Sequence, residues 1–589
     1  MTLFKNVTID SGADLALSNG GITITENLYN DGSITDLGTS IIMSGTVPQQ
    51  VNGNDFNIDV FIIENETTVN LNLNITELLS IEDDLTVNSN NIITLKSGIN
   101  GTAFVDEVIG VVNGLFTTER FIPAKRAFRF ISSSVNSTGS IYENWQENGS
   151  TLGSFGTHIT GSITGANGFD ITATGSPSLF GYDNINQSWT TPQNTDVTTL
   201  VAGSPYRLFI RGDRTTDLSN NTAVATNTVL RATGSLKTGT ETVSNLSSIA
   251  GEFNFVGNPY QAPVDLNEVL SVSTNLNSNF VYFWDPTINT RGSYVTVDIS
   301  NNTSNVSSGF NNYLQPNSAF FVTTLNNGST SLTFEENNKE VNQQALNIFS
   351  VPINNSRLKI QLFESTEYAQ GSRERDAVVL NVNATSSNLV NSRDALKFTN
   401  IDENISIKNG GQLLSIENRQ SIQDGDNIDL IATNYRSSQY DLNISIEGII
   451  TPAYLYDSFL NSYTALSSNG STTYNFTIDS SIPESVHENR FQIKFSNVTL
   501  SNDNFNLDNK VSVYPNPTDD HTIHISGLKD EANFKLSNML GQEIKIDPQS
   551  ISSIGNTLKI NLPITLKKGT YIMNIMDANQ LSSHKIILD

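Results

Sequence analysis

The stretch Val511-Ser-Val-Tyr-Pro-Asn-Pro-Thr518 decides how the last part of the chain is interpreted. Apolar and polar residues alternate from Val511 to Tyr514, which is typical of a half-buried β-strand. Each proline then fixes φ, removes a backbone donor and favours extended geometry in the residue before it. The sequence therefore predicts a strand that enters a small domain and turns sharply at Pro515 and Pro517.

Short alternating segments follow this strand. They are residues 522–525, 533–536, 543–546, 558–562, 570–575 and 583–588. Glycine-containing turn signals, such as Ser526-Gly527 and Lys568-Gly569, separate them. We therefore predict a small all-β module at residues 510–589, a C-terminal β-sandwich, preceded by a polar linker at 501–509.

Three motifs in this module resemble a known family. Tyr514-Pro-Asn-Pro-Thr518, Asn538-Met-Leu-Gly-Gln542 and Leu566-Lys-Lys-Gly-Thr-Tyr571 occur in the order found in the type A C-terminal sorting domain of the type 9 secretion system of the Bacteroidetes. The resemblance covers residues 509–589. It implies a sorting signal formed by Tyr514, Pro515, Asn516, Pro517, Gly541, Lys568, Gly569 and Tyr571.

The resemblance also implies a route and partners. In this family the folded module is recognised by the outer-membrane translocon and its shuttle protein, after the cargo has crossed the periplasm. The module is then cleaved and exchanged for a surface anchor, so a surface glycan or lipopolysaccharide is a further expected partner. The expected location is extracellular, at the cell surface. The function of the cargo at the cell surface has to be inferred from the rest of the chain.

Composition favours an all-β chain. Only 15% of the 589 residues are charged, and Asn, Ser, Thr and Gly are abundant instead. Such residues suit strands and turns and form poor helices. Because a chain of this length exceeds a single core, we predict an elongated, multidomain all-β protein.

Charge is distributed unevenly. The formal net charge is −27, so nucleic acid is not expected as a partner. Residues 510–589 hold eight lysines and eight acidic residues, and the excess negative charge therefore lies upstream. That contrast indicates that the module folds independently.

The cysteine count is zero, which excludes disulfides and thiolate chemistry. No apolar run reaches transmembrane length. The segment Met1-Thr-Leu-Phe-Lys-Asn-Val-Thr-Ile9 also lacks the pattern of a signal peptide. Because a type 9 cargo needs such a peptide to cross the inner membrane, we expect further native sequence upstream.

Residues 1–103 repeat a loose pattern. Short strand-like segments, among them Gly21-Ile-Thr-Ile-Thr25 and Val60-Phe-Ile-Ile-Glu64, alternate with Asn, Gly and Asp turns. Several strands together form a unit of about 20 residues, which indicates a β-solenoid-like region of stacked rungs. An ordinary antiparallel sandwich is the alternative.

The two middle regions are predicted to be sandwiches. Residues 104–344 combine aromatics with arginines and suggest one large β-sandwich or jelly roll. Residues 345–500 have the strand count of an immunoglobulin-like β-sandwich. Trp145, Trp189 and Trp284 all lie in the first of these regions, and either fill its core or stack on a glycan.

No catalytic or metal-binding group stands out. None of the five histidines lies in a recognisable nucleophile motif, and no carboxylate pair is set in an apolar segment. We therefore expect no catalytic residues, no metal ligands and no cofactor, although Asn/Asp-rich loops leave room for structural calcium at an undefined position.

The sequence favours a non-enzymatic function. The expectation is an adhesin-like or structural protein of the cell surface. A carbohydrate-binding surface protein is one alternative, and a polysaccharide-active enzyme is another.

Overall fold

The computed structural model describes residues 2–18, 20–151, 153–342, 356–496, 511–528, 532–539, 542–554, 557–577 and 580–589. It is 49% strand and 4% helix, which confirms the predicted all-β class. The α-helices of the described ranges are short, at Leu266–Ser271 and Ser365–Ala369. Residues 1–496 and 497–589 form separate compact units.

The first hundred residues form a parallel β-solenoid with three faces. The first face contains Thr2–Phe4, Ile22–Ile24, Ser40–Met43, residues 60–63 of Phe56–Ile63, residues 78–81 of Leu73–Ile81, and Phe104–Val108. The second contains Val7–Ile9, Leu28–Asn30, Gln49–Gly53, Thr67–Val69, Leu85–Val87 and Val112–Asn113. The third contains Asp14–Leu17, Ser33–Asp36, residues 56–58, residues 73–75, Ile92–Leu95 and Leu115–Ile122. The predicted solenoid-like stacking is confirmed.

Matching side chains stack from rung to rung because equivalent residues recur about every 20 positions. Inside, Leu28, Val51, Val69 and Val87 form one buried column through in-register parallel pairs. Burial of these columns is the main source of stability, at about 25 cal/mol for each Å² of apolar surface removed from water.

Polar ladders run along the outside of the same corners. Asn70 Nδ2 donates to Asn52 Oδ1 at 2.9 Å, and Asn88 Nδ2 donates to Asn70 Oδ1 at 3.0 Å. Each asparagine directly follows a residue of the buried valine column, so its side chain meets the same residue type on the next rung. These ladders fix the register between rungs as well as satisfying the amides.

The third face of the solenoid continues as antiparallel sheet. Leu115–Ile122 pairs in parallel with Ile92–Leu95 on one edge and antiparallel with Thr228–Leu236 on the other. Val135–Ser137 then extends the sheet beyond Thr228–Leu236. One hydrophobic core accordingly runs without interruption from Ile9 to Leu236.

Two larger sheets build the rest of residues 104–342. A four-stranded sheet contains Ala127–Ile131, Tyr206–Ile210, Leu179–Asp183 and Ser188–Thr190, and a five-stranded sheet contains Phe253–Gly257, Ala319–Thr324, Leu276–Asp285, Ser293–Asp298 and Thr303–Ser304. Two-stranded pairs complete the region: Ser97–Gly98 with Gly101–Thr102, Thr160–Ser162 with Asp170–Ile171, Glu241–Val243 with Leu332–Phe334, and Val264–Asp265 with Tyr313–Leu314.

Residues 356–495 form an 11-stranded sheet. Its order is Ser462–Ala465, Ala453–Asp457, Phe491–Phe495, Asn427–Thr433, Asn404–Asn409, Gln412–Arg419, Asp376–Val382, Ser356–Glu364, Gln439–Glu447 and Gly470–Thr477, with Ala395–Leu396 on Gln412–Arg419. Strands from both ends of this order contribute to the same core, so the sheet curls around it.

An aromatic cluster joins the two middle regions. Phe398 stacks on Tyr294 with ring centroids 4.1 Å apart and lies 4.8 Å from Phe321. Val379 and Ile416 pack into the same cluster. The regions 104–342 and 356–496 therefore share apolar surface within the first unit. The predicted boundary between residues 344 and 345 and the predicted linker 501–509 lie outside the described residues.

Candidate functional site

The C-terminal unit is a two-sheet β-sandwich. One sheet contains Ser512–Tyr514, Thr522–Ser526, Thr557–Asn561 and Ile551–Ile554; the other contains Glu543–Ile544, Asn533–Asn538, Gly569–Asp577 and Gln580–Leu588. Ile523, Ile560, Leu536, Met573 and Ile586 meet between the sheets and are fully buried. The core is built from the alternating apolar positions that predicted the strands.

The Tyr-Pro-Asn-Pro-Thr motif is tied to the last strand. Asn516 donates from Nδ2 to the Lys585 carbonyl and accepts at Oδ1 from the Ile587 backbone N–H at 2.8 Å. Thr518 continues this contact, because its N–H donates to the Ile587 carbonyl at 2.9 Å and its carbonyl accepts from Asp589 at 3.0 Å. The two prolines have no backbone N–H, and the Asn516 side chain between them supplies a donor together with an acceptor.

The remaining residues of the predicted signal lie apart from this contact. Tyr514 is 47% exposed and stacks on His524, with ring centroids 5.7 Å apart. Tyr571 lies in the core with its hydroxyl donating to the Lys567 carbonyl at 2.8 Å. Lys568 is an exposed residue before the strand that begins at Gly569.

The peptide bonds before Pro515 and Pro517 are both cis. Gly541 lies outside the described residues. The structure thus brings Asn516 to the last strand, whereas Tyr514 and Lys568 offer exposed side chains from the same unit.

This fold belongs to the class of small terminal β-sandwich modules. Residues 512–589 match the model of a protein family described as the secretion system C-terminal sorting domain. The chain therefore carries a sorting domain and is a cargo of the type 9 secretion system, which exports it to the cell surface or the extracellular space. Interaction with the secretion machinery follows from that route.

The family match covers residues 512–589 and does not extend to the first unit. No curated protein sequence matches the chain. In the part of the chain that the structure describes, no helix is long and apolar enough to cross a membrane.

The tryptophans occupy three different settings. Trp145 and Trp284 are 3% and 2% exposed and belong to hydrophobic cores, so protein covers their ring faces. Trp189 is half-buried at the edge of the aromatic cluster, with the Arg207 guanidinium 3.7 Å from its ring centre. Trp145 and Trp284 therefore present no open ring face to a sugar, whereas Trp189 is partly exposed and has Arg207 over its ring.

Buried carboxylates in the first unit are held by cations and backbone donors. Asp170 accepts from Arg214 Nη1 at 2.6 Å and from the Ile159 N–H at 2.9 Å, and it lies 3.2 Å from His158 Nδ1. Burial raises the pKa of Asp170, but contacts with His158 and Arg214 outweigh burial and bring its pKa below the ordinary value. This arrangement anchors a carboxylate in its ionised form.

Two further carboxylates of the first unit are bound to lysines. Lys397 Nζ lies 2.5 Å from Asp376, and both side chains are almost fully buried. Lys96 binds Glu119 at 2.6 Å on the third face of the solenoid. Within the described ranges, no three His, Asp or Glu side chains are grouped so that they could hold a metal ion.

Sequence reasoning missed the groups that join distant segments. The Arg207 guanidinium over Trp189 comes from a different strand, and some ion-pair partners, such as Arg214 and Asp170, are 44 residues apart. Alternation along Tyr206-Arg-Leu-Phe-Ile-Arg211 places both arginines of that strand on one face, and this was the available signal. Which strand lies beside it could not be obtained from the pattern.

Proposed function

We propose that this protein is a non-enzymatic, adhesin-like or structural protein displayed on the surface of a Bacteroidetes cell. The observation that carries the proposal is that regions 104–342 and 356–496 form one compact unit in a chain that also carries an export signal. A surface protein that bears load or contacts another surface needs regions that do not separate under force. The shared core and the charged contacts around it provide that property.

Charged contacts reinforce the apolar junction. Asp402 is fully buried and binds both Arg291 and Arg436, the latter at 3.2 Å. Arg373 binds Asp285 at 3.0 Å across the same junction. The carboxylates are buried, so loss of their arginines would leave a buried negative charge without a counter-charge, which is unfavourable. Separation of the regions would expose both the aromatic cluster and these charges.

The setting of Asp170 supports a non-enzymatic role. Its carboxylate binds Arg214, whose side chain is almost fully buried. A general acid or base needs a pKa near the working pH and access to substrate. Asp170 instead has a lowered pKa because Arg214 and His158 outweigh the effect of burial.

A comparison of host cells tests the surface role. Cells lacking the gene, cells with the native gene and cells expressing the Asn516→Ala variant are compared for attachment to surfaces and to one another. The native gene restores attachment. The variant does not restore attachment, because the contact between Asn516 and the last strand is lost and the protein is retained in the periplasm.

Unchanged attachment in the deletion strain, with the protein shown on the wild-type surface by antibody labelling, overturns an adhesin role. Loss of envelope integrity without loss of attachment selects the structural role. Release of reducing sugar from polysaccharides by the purified full chain would instead establish an enzyme.

A further inference from the structure

The four-stranded sheet of residues 127–210 has two chemically different faces. Leu179, Leu208 and Ile210 point to the first hydrophobic core. The alternate positions Phe128, Phe180 and Phe209 lie on the opposite face, because successive residues of a strand point to opposite sides. This opposite face also carries arginines.

Only part of that face is covered by protein. At one end Phe130 and Trp189 pack against Phe255 and Phe321 of the five-stranded sheet. At the other end the side chains are half-exposed. We call this second part the arginine–aromatic face, and it consists of Arg126, Phe128, Phe180, Arg207, Phe209 and Arg211.

The guanidinium groups lie on the rings. The Arg207 guanidinium carbon is 3.7 Å from the Trp189 ring centre and 4.7 Å from that of Phe180. That of Arg211 is 4.9 Å from the Phe209 ring centre. Stacking holds a guanidinium by its flat side, so the N–H groups at its edge stay available for an anion.

These arginines are not neutralised by the protein. In the described part of the chain, the side chains of Arg126, Arg207 and Arg211 take part in neither an ion pair nor a hydrogen bond, and each has a buried nitrogen without a partner. Arg214, only three residues beyond Arg211, is by contrast bound to Asp170. Burial and the neighbouring Arg126 lower the pKa of Arg211 to about 10, against an opposing effect of Asp170, whose carboxylate is bound to Arg214.

The charge composition makes this cluster unusual. The chain has 59 acidic and 32 basic residues, so acidic partners are plentiful. Unpaired cations that are partly removed from water are unfavourable unless an anion reaches them. The face therefore has an unsatisfied preference for negative charge.

We propose that the arginine–aromatic face binds an acidic glycan, a sugar chain that carries carboxylate or sulfate groups. The inference rests on the proposed surface function and names the class of ligand that the surface takes. Guanidinium groups bind carboxylate and sulfate oxygens through paired N–H donors. The rings beside them match the apolar C–H faces of sugars.

Spacing favours a glycan over a nucleic acid. Arg207 lies in the strand Tyr206–Ile210 and Arg211 directly follows it, so four residues of extended chain would separate them by about 13 Å. A nucleic-acid strand carries a charge about every 3.4 Å and is bound by continuous basic surfaces. Three arginines on a protein of net charge −27 do not form such a continuous surface, and they match a polymer with sparser anions.

Binding to the purified full chain tests the proposal. The probes are oligogalacturonate for carboxylates, a heparin oligosaccharide for sulfates, dextran as a neutral glycan and oligothymidylate as a nucleic acid. We expect at least one acidic oligosaccharide to bind and dextran not to bind. The double variant Arg126→Gln/Arg211→Gln should weaken the Kd about tenfold or more, since charged hydrogen bonds are lost.

Arg393→Gln is the control, because it removes one positive charge from an exposed arginine elsewhere in the unit. It should change the Kd less than about twofold. Arg207→Lys keeps the charge but loses the flat stacking on Trp189, and should also weaken binding. Thermal melting of each variant confirms that it is folded.

Equal binding by the native chain and all folded variants, absence of binding to both acidic probes, or tighter binding of oligothymidylate overturns the proposal. The cell assay separates this failure from failure of the surface function. If attachment requires the protein but is unaffected by the double variant, the glycan-binding proposal is refuted and the surface function stands.

Discussion

Arg490 and Asp457 show how single residues stabilise this protein. Two bonds join them, from Nε to Oδ1 at 2.9 Å and from Nη2 to Oδ2 at 2.7 Å. Both side chains are 1% exposed. Arg490 also donates to the carbonyls of Thr477 and Ser485, so it joins loops as well as strands. Removal of either partner would leave the other charge buried without a counter-charge.

The first prediction is that Arg490→Met lowers the free energy of unfolding by about 3–5 kcal/mol, because Asp457 is then buried without a counter-charge. Urea denaturation of the full chain at pH 7 measures the change. The exposed Arg393→Met control should lose less than about 0.5 kcal/mol. Similar losses in the two variants would show that the pair contributes little.

A second prediction concerns pH. Burial raises the pKa of Asp457, but hydrogen bonds from Arg490 and Tyr474 outweigh burial and leave its pKa below 3.8. A group whose folded pKa is lowered stabilises the fold above its unfolded pKa of about 3.9 and loses that contribution as pH falls through the folded value. Asp457→Asn should therefore be less stable than the native chain at pH 7, and the deficit should shrink below about pH 4.

Urea midpoints at pH 7, 5 and 3 measure this deficit. Asp31→Asn, at an exposed position of the solenoid, is the control and should show no comparable change with pH. A deficit that is constant across this range would refute the assignment of the effect to the Asp457 charge.

At the scale of elements, alternation predicted the strands well. The six segments predicted after residue 520 all contain observed strands, at Thr522–Ser526, Asn533–Asn538, Glu543–Ile544, Thr557–Asn561, Gly569–Asp577 and Gln580–Leu588. The strand Ile551–Ile554 was missed, because two serines between two isoleucines resemble a loop. Rung length in the solenoid was also predictable, since the same residue types recur on each rung.

The third prediction addresses the asparagine ladder of the solenoid. Asn70→Ala removes both inter-rung bonds of that side chain and should lower the free energy of unfolding by about 1–2 kcal/mol. Chemical denaturation and amide hydrogen exchange at residues 51–53 and 87–88 report the effect. Asn90→Ala, at an exposed turn position outside the ladder, should be nearly neutral. Equal exchange in both variants would argue against a register-fixing ladder.

The fourth prediction addresses the sorting domain. Asn516→Ala keeps both prolines but removes the two contacts to the last strand. It should destabilise the domain by about 1–3 kcal/mol and reduce the surface fraction of the protein, measured by protease accessibility on intact host cells. Asn533→Ala, an exposed position in the same domain, should leave export unchanged. Normal export of the Asn516 variant would show that the sorting signal does not depend on this contact.

For the whole molecule, the limit of sequence reasoning is long-range pairing. The junction of regions 104–342 and 356–496 depends on partners such as Arg291 and Asp402, which are 111 positions apart. The arginine–aromatic face likewise combines Phe128 with Phe209 from separate parts of the chain. Alternation indicates which side chains share a face of one strand, but the neighbouring strand is chosen by packing of the complete fold.

The fifth prediction follows from the separate cores of the two units. Every residue of the sorting-domain core lies at or beyond Val511, whereas the other cores end at or before Phe495. Removing residues 509–589 should therefore leave the first unit folded, with cooperative melting, but retained in the periplasm. Cell fractionation and circular dichroism measure the two outcomes.

The reciprocal experiment fuses residues 501–589 to a fluorescent protein that carries an inner-membrane signal peptide. In a host with a working type 9 system the fusion should reach the surface, and in a translocon-deficient strain it should not. Surface delivery of the truncated cargo, or retention of the fusion in the competent host, would place the signal elsewhere.

The contact of Asn516 with residues 585–587 has a consequence for biosynthesis. The motif is made about 70 residues before its partner strand, so it emerges from the ribosome with nothing to bind. A chain whose translation stops before Lys585 has no backbone to offer Asn516. We therefore expect the sorting domain to fold completely only in full-length chains, so that prematurely terminated chains are not exported.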